Sequence, residues 1–254
     1  MKSDDAWHLI KSGRYDEAAQ QLERHINAGG IHVELGHFGN KSVAELAAGR
    51  MLEAERTLKE SQVFAERQAR GSNLLLKLSE LQWLNGHTEE AIESLRARIR
   101  GLQDGTVQFT DAAGGAKEGL ILYYYGVRLD RDEVLDEASQ WLNRVRKRRQ
   151  LRLKVWPGPL VLWFFGELDD SAILSEGCET TSIEGAVTIA RSNILIRRQL
   201  IEICFHQGVR AMREGDGLRC KDFFENAACL ENPLVELEWY LARHEVDRLR
   251  RLSN

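Results

Sequence analysis

Two histidines and a glutamate fall within six residues of the 254-residue chain, in "HVELGH", where His32, Glu34 and His37 have the side-chain types of a metal site. A zinc-hydrolase helix needs its two histidines four apart, with the glutamate next to the first, so that both imidazoles share one helix face. Here they are five apart and Gly36 interrupts, so the trio reads as structural. "GHFGNKS" approaches a phosphate loop, but Asn40 separates Gly39 from Lys41, and no strand-forming run precedes it. No Gly-x-Ser-x-Gly elbow is present, and no carboxylate or histidine is marked as a general base. The four cysteines, Cys178, Cys204, Cys220 and Cys229, form no CxxC pair and read as reduced thiols. Cys220 and Cys229 are nine residues apart, about two and a half helical turns, so their thiols point to roughly opposite sides. The chain thus reads as non-enzymatic, with no catalytic residue, metal ligand or cofactor assigned.

Two further stretches carry binding chemistry. "RVRKRRQLRLK" (144–154) is the densest run of cations. Within it Arg146, Arg148 and Arg149 are candidates for an acidic protein partner or for nucleic acid, and "ELDD" (167–170) is placed to neutralise part of the charge. "YYYGV" puts Tyr123 and Tyr124 about 100° apart around a helix, so consecutive tyrosines cannot all be buried.

The elements that must position these groups are helices. Leu, Ala, Glu and Arg are abundant, prolines number three, 43% of residues are hydrophobic and 29% charged. That is a globular, helix-favouring composition. The net charge of −4 argues against general nucleic-acid binding. The longest apolar run, "PLVLWFF", is too short to span a bilayer, and "MKSDDAWHLIKSGRYDEA" lacks a signal-peptide core; a cytoplasmic location follows as the expectation.

A repeat organises the helices. "SGRYDEAAQQLERHI", "AGRMLEAERTLKES", "NGHTEEAIESLRARI" and "EGDGLRCKDFFENAA" align on Gly13, Gly49, Gly86 and Gly215. Five residues after each glycine comes a small residue (Ala18, Ala54, Ala91, Cys220), and four later a large apolar one (Leu22, Leu58, Leu95, Phe224). The glycine suits a left-handed turn that ends one helix. The small residue lets the next helix approach closely, and the large one fills the gap a turn later. Ala18, Ala54 and Ala91 are spaced by 36 and 37 residues, one helical hairpin per step. A fifth, looser unit has Gly126, Ala138 and Leu142 but no turn glycine. On this reading Cys220 is a small buried packing residue.

Helices are expected at about 3–11, 15–27, 42–48, 51–69, 72–85, 88–101, 119–129, 132–151, 159–166, 170–176, 183–191 and 195–213, followed by the last repeat and a charged final helix. A long loop is expected over 102–119, and a break at 154–170 where Pro157 and Pro159 cannot continue a helix.

The glycine-turn series resembles the tetratricopeptide repeat family, and "LENP" (230–233) resembles the proline-terminated end of such a unit. The resemblance implies an all-α, right-handed solenoid of antiparallel helical hairpins with a C-terminal capping helix. It divides into 1–153 and 154–254 as parts of one continuous solenoid. First helices would line a concave groove for a protein partner, with Trp7, Glu80, Trp83, Tyr123, Tyr124, Val127, Phe205 and Met212 as candidate contacts beside the arginines. The C-terminal half, through its "WP-x-P" helix start, "GDGLRCKDFFENAA" and "VELEWYLAR", also resembles bacterial proteins of this type. Some of these are cytoplasmic immunity partners of secreted toxins and others adaptors. The implied function is a protein-binding scaffold, in its most specific form a toxin-immunity protein. An RNA-associated regulator using 144–154 and an assembly or secretion adaptor are the alternatives.

Overall fold

The computed structural model describes residues 3–29, 32–68, 72–148 and 150–252, without the side chains of residues 3, 4, 148, 150, 151 and 252. Among the described residues every regular element is helical, and sequence neighbours pack as pairs. The chain forms two compact units, 1–108 and 109–254; the division expected at 153/154 falls inside the second.

The first unit holds α1 (Ser3–Lys11), α2 (Tyr15–Ala28), α3 (Leu35–Ala47), α4 (Met51–Arg67), α5 (Leu75–Leu84) and α6 (Thr88–Asp104). Its pairs are joined where the glycines predicted. Gly13, Gly49 and Gly86 adopt φ of 77°, 80° and 82°. In each turn the amide after the glycine donates to the carbonyl five residues back: Arg14 to Leu9, Arg50 to Glu45 and His87 to Gln82, at 2.8–2.9 Å. This satisfies carbonyls that a helix end leaves open. Ala18, Ala54 and Ala91 are wholly buried, and Leu22, Leu58 and Leu95 fill the space beside them.

The second unit holds α7 (Ala116–Leu129), α8 (Asp132–Arg148), a 3₁₀ segment (Gln150–Lys154), α9 (Gly158–Phe164), α10 (Asp170–Cys178), α11 (Ile183–Ala190), α12 (Ile194–Glu214), α13 (Gly217–Ala228) and α14 (Leu237–Leu252). The 21-residue α12 is its axis, packed against α7, α10, α11, α13 and α14. Being enclosed, it is buried nearly all round rather than along one stripe. The same turn recurs at Gly215, where the Asp216 amide donates to Ala211, and at Gly166, where that of Glu167 donates to Leu162. The loose fifth unit keeps the turn without a glycine. Asp130 takes the left-handed conformation (φ 52°), and the Arg131 amide donates to Gly126. There the small residue has moved to the first helix. A Cβ on Gly126 would lie 2.8 Å from Leu135, so its absence is what admits the leucine.

The largest differences from the expected boundaries lie at α3 and at the loop before α7. The helix expected at 42–48 begins at Leu35, because Glu34 and His37 cap it (described below) and glycines hid its pattern. The loop expected over 102–119 shrinks to 105–115, since α6 runs to Asp104 and α7 starts at Ala116. The Asp111 carboxylate holds the end of that loop by accepting from the Gly115 amide at 3.0 Å, and Trp141 Nε1 donates to the Gly115 carbonyl at 2.7 Å. The expected break at 154–170 is present: it contains a cis Trp156–Pro157 bond, and α9 starts just beyond it.

Candidate functional site

The "HVELGH" side chains build a helix start. The Glu34 side chain accepts from the His37 amide, and the Glu34 amide donates to His37 Nδ1 at 3.0 Å, a reciprocal cap on α3. His37 packs on His25 with ring centroids 4.5 Å apart. Burial, and then the His25 ring, hold its pKa below the usual imidazole value. His32 faces solvent. Lys41, from the phosphate-loop lookalike, is buried: its ammonium donates to Thr57 Oγ1 at 2.9 Å and pairs with Glu45 at 3.0 Å, while the Thr57 hydroxyl donates to Glu45 at 2.7 Å.

Cys220 is buried in the repeat position, as expected, and Cys229 is exposed. Burial pushes the Cys178 thiol up to about 12 and Cys220 up to about 11, so both are thiols rather than thiolates at neutral pH.

Four of the anticipated contact residues are packed inside: Tyr124 and Phe205 are fully buried, Glu80 is 3% exposed and Trp83 4%. Tyr124 and Phe205 meet edge to face at 5.0 Å, and the Tyr124 hydroxyl donates to the buried Glu245 at 2.7 Å. Arg128 and Arg248 also donate to Glu245, each at 2.9 Å. These side chains hold helices together. Trp7 in the first unit, and Tyr123, Val127 and Met212 in the second, are half-buried. Arg149 and the side chain of Arg148 lie outside the described residues.

The structure gathers an aromatic surface in the second unit around Tyr123. The Tyr123 ring meets Phe164 edge-on at 4.9 Å, and Phe164 meets Phe165 at 5.0 Å. The Arg146 guanidinium lies 4.4 Å from the Phe165 ring centre and pairs with Glu167 at 2.9 Å. The Arg210 guanidinium lies 3.5 Å from the Trp163 ring centre and donates to the Trp163 carbonyl at 2.7 Å. Burial raises the Tyr123 pKa and lowers that of Arg210. Arg213 is shared between Asp130 and Asp132, and Arg219 reaches Asp170. The arginines are therefore matched by carboxylates. The surface offers flat rings and paired charge rather than a bare cationic field. Of these groups the sequence pointed to Tyr123, Arg146 and the neutralising "ELDD". Phe164, Phe165 and Arg210 went unmarked, because their meeting depends on the break that turns α9 back towards α7.

A second constellation lies deeper in the same unit. Lys117, in the first turn of α7, places its ammonium 3.0 Å from Glu202 of α12, 2.8 Å from Glu236 and 3.4 Å from Glu238 of α14. The three glutamates are 2–3% exposed. Arg198 also pairs with Glu236, and Trp156 Nε1 donates to Glu202 Oε2 at 3.0 Å. One oxygen from each carboxylate lies within 4.8 Å of the others, the spacing of a cation site, and here the cation is the Lys117 ammonium itself. Burial opposes the lysine's charge, but the three carboxylates outweigh it and raise its pKa well above the ordinary value. A weak signal existed in the sequence: "LIEICF" sets Glu202 among apolar neighbours, where an acid must find a partner once buried.

Comparison of the chain with models of known protein families, with curated proteins and with solved structures gives no match. Among the described residues no helix is long and apolar enough to cross a membrane.

Proposed function

We propose that this chain is a non-catalytic, protein-binding scaffold of tetratricopeptide-like hairpins stacked as a right-handed solenoid. In its most specific form it is a cytoplasmic immunity protein that captures a bacterial toxin domain. The observation that carries the binding role is the half-buried aromatic surface of Tyr123, Phe164 and Phe165, with Arg146 and Arg210 laid over neighbouring rings. Rigid aromatic and arginine groups bury large area at small entropic cost, which is why they dominate protein interfaces. The toxin-specific form is supported by the resemblance of the C-terminal half alone. Its test is co-expression with the toxin candidate encoded beside it. Rescue of growth together with a one-to-one complex supports it, and killing despite full expression of this chain rejects it. Tyr123→Ala and Arg146→Ala are each expected to weaken that complex by 1–3 kcal/mol, roughly 5- to 150-fold in Kd, with the helical circular dichroism unchanged. An adaptor of assembly or secretion would instead bind several clients and confer no protection.

The RNA reading draws on a separate observation: Arg144, Lys147, Arg152 and Lys154 all face solvent. It requires binding that falls steeply with salt and falls further in Arg144→Glu/Lys147→Glu. A flat salt dependence in a filter assay removes it.

A further inference from the structure

The first turn of α3 (35–38) has little helix-forming strength of its own. Gly36 lies inside it and Gly39 directly after it, and a glycine weakens a helix by about 1 kcal/mol relative to alanine. A Cβ on Gly36 would meet nothing within 4 Å, so close packing does not require that glycine. What holds the turn is the reciprocal cap, in which the Glu34 side chain accepts from the His37 amide and the Glu34 amide donates to His37 Nδ1 at 3.0 Å.

The second of these bonds sets the protonation state of the ring. A ring nitrogen that accepts carries no hydrogen, so His37 is neutral, with its proton on Nε2. An imidazolium donates from both nitrogens and accepts at neither. A charged His37 would turn an N–H towards the Glu34 N–H and could not close the cap. Capping boxes ordinarily carry Glu or Gln at this position, whose oxygen accepts in neutral and mildly acid solution alike. Histidine makes the bond conditional within the range where imidazole titrates.

The groups around the ring favour its neutral form. His37 is 4% exposed. From α2 comes His25, with its ring centroid 4.5 Å away, while Glu23 of α2 is directed to Lys41 at 4.0 Å. From α4 comes Phe64, 5.2 Å from Phe38, and the Glu60, Glu66 and Arg67 side chains of α4 are exposed. Asp5, His8 and Lys11 of α1 are exposed as well. Within α3, Lys41 is paired with Glu45. Burial and then His25, helped by the positive amino terminus, oppose a charge on His37; Glu34 favours one through its backbone and its carboxylate, but is outweighed.

We infer that His37 is the latch of an acid-opened joint at the start of α3: the neutral ring closes the cap, and the protonated ring releases it and frays the first turn while the rest of the first unit stays folded. The direction follows from linkage. A histidine whose pKa is lower folded than unfolded contributes stability that is complete above the unfolded value, about 6.5, and is lost as pH falls from there through the folded value. The latch is shut at neutral pH and opens in mild acid.

Hydrogen exchange of the full-length wild-type chain, read by NMR, tests this. After correction for the intrinsic pH dependence, protection of the Glu34 and His37 amides should fall about 3- to 30-fold between about pH 7.5 and about pH 5, while α4 keeps its protection. The range stops above the ordinary carboxylate values, so that glutamates do not contribute. The imidazole nitrogen shifts of His37 at pH 7.5 should show Nε2 protonated and Nδ1 bare. Unchanged protection at the two amides, an equal loss through α4, or the opposite tautomer overturns the inference without any variant. His37→Gln supplies an oxygen that accepts from the Glu34 amide throughout this range and should abolish the step. His25→Gln leaves His37 Nδ1 in place and should keep it. A step that survives in His37→Gln, or disappears in His25→Gln, overturns the inference equally.

Discussion

Glu55, 3% exposed on α4, shows how a single buried acid is held charged in the first unit. Burial would raise its pKa, but hydrogen bonds from Lys59, Asn85 and His87 outweigh that and leave it lowered. A carboxylate with a lowered folded pKa contributes stability that is present above its unfolded value and lost as pH falls through the folded one. The stability of the first unit should therefore decline as pH drops below about 4.5, and Glu55→Gln should flatten part of that decline in urea melts. Thr57 makes a sharper test. Its hydroxyl accepts from Lys41 and donates to Glu45 inside the core, so Thr57→Val leaves a buried ion pair without its bridge. A loss of about 1–3 kcal/mol in chemical denaturation is expected.

At the scale of elements, the turn does the repeating work. Gly86 has a left-handed backbone and nothing within 4 Å of where a Cβ would stand, so Gly86→Ala isolates the backbone cost. It should destabilise by about 1–2 kcal/mol. Glu179 is the converse: an exposed residue at the end of α10 with φ 58°. Glu179→Gly should stabilise by up to about 1 kcal/mol, read as a rise in Tm. Gly208 illustrates a different need. Its Cβ would stand 2.8 Å from Phe224, so the glycine lets α12 and α13 close on each other, and Gly208→Ala should cost about 1–3 kcal/mol through overpacking.

Over the whole molecule, contacts divide the chain at residue 108, inside the short loop between α6 and α7. The second unit has its own axis in α12, its own core and both constellations described above. A fragment spanning 109–254 should fold alone, giving helical circular dichroism and a single cooperative melt. If partner binding resides on the Tyr123 surface, that fragment should retain it and 1–108 should not, as read by calorimetric titration of each fragment.

The sequence by itself determined the helical class, the glycine turns at Gly13, Gly49, Gly86 and Gly215, and the burial of the small and large residues that follow them. These are local matters: a left-handed turn selects glycine, and a 3.6-residue period brings the packed residues to one face. It also placed Cys220 inside and turned the Cys229 thiol to roughly the opposite side. Only the tertiary structure decided what the polar residues do. "HVELGH" holds the types of a metal site and serves as a helix cap, because the distance of His37 from the Glu34 amide, not its spacing from His32, sets its partner. Lys41 stands in the sequence as part of a phosphate-loop lookalike, and in the fold Glu45 and Thr57 close around it. Lys117, Glu202, Glu236 and Glu238 span more than a hundred residues of chain and obey no common period. Their meeting follows from how α7, α12 and α14 pack, and a charge inside a protein takes its character from the charges that packing puts beside it.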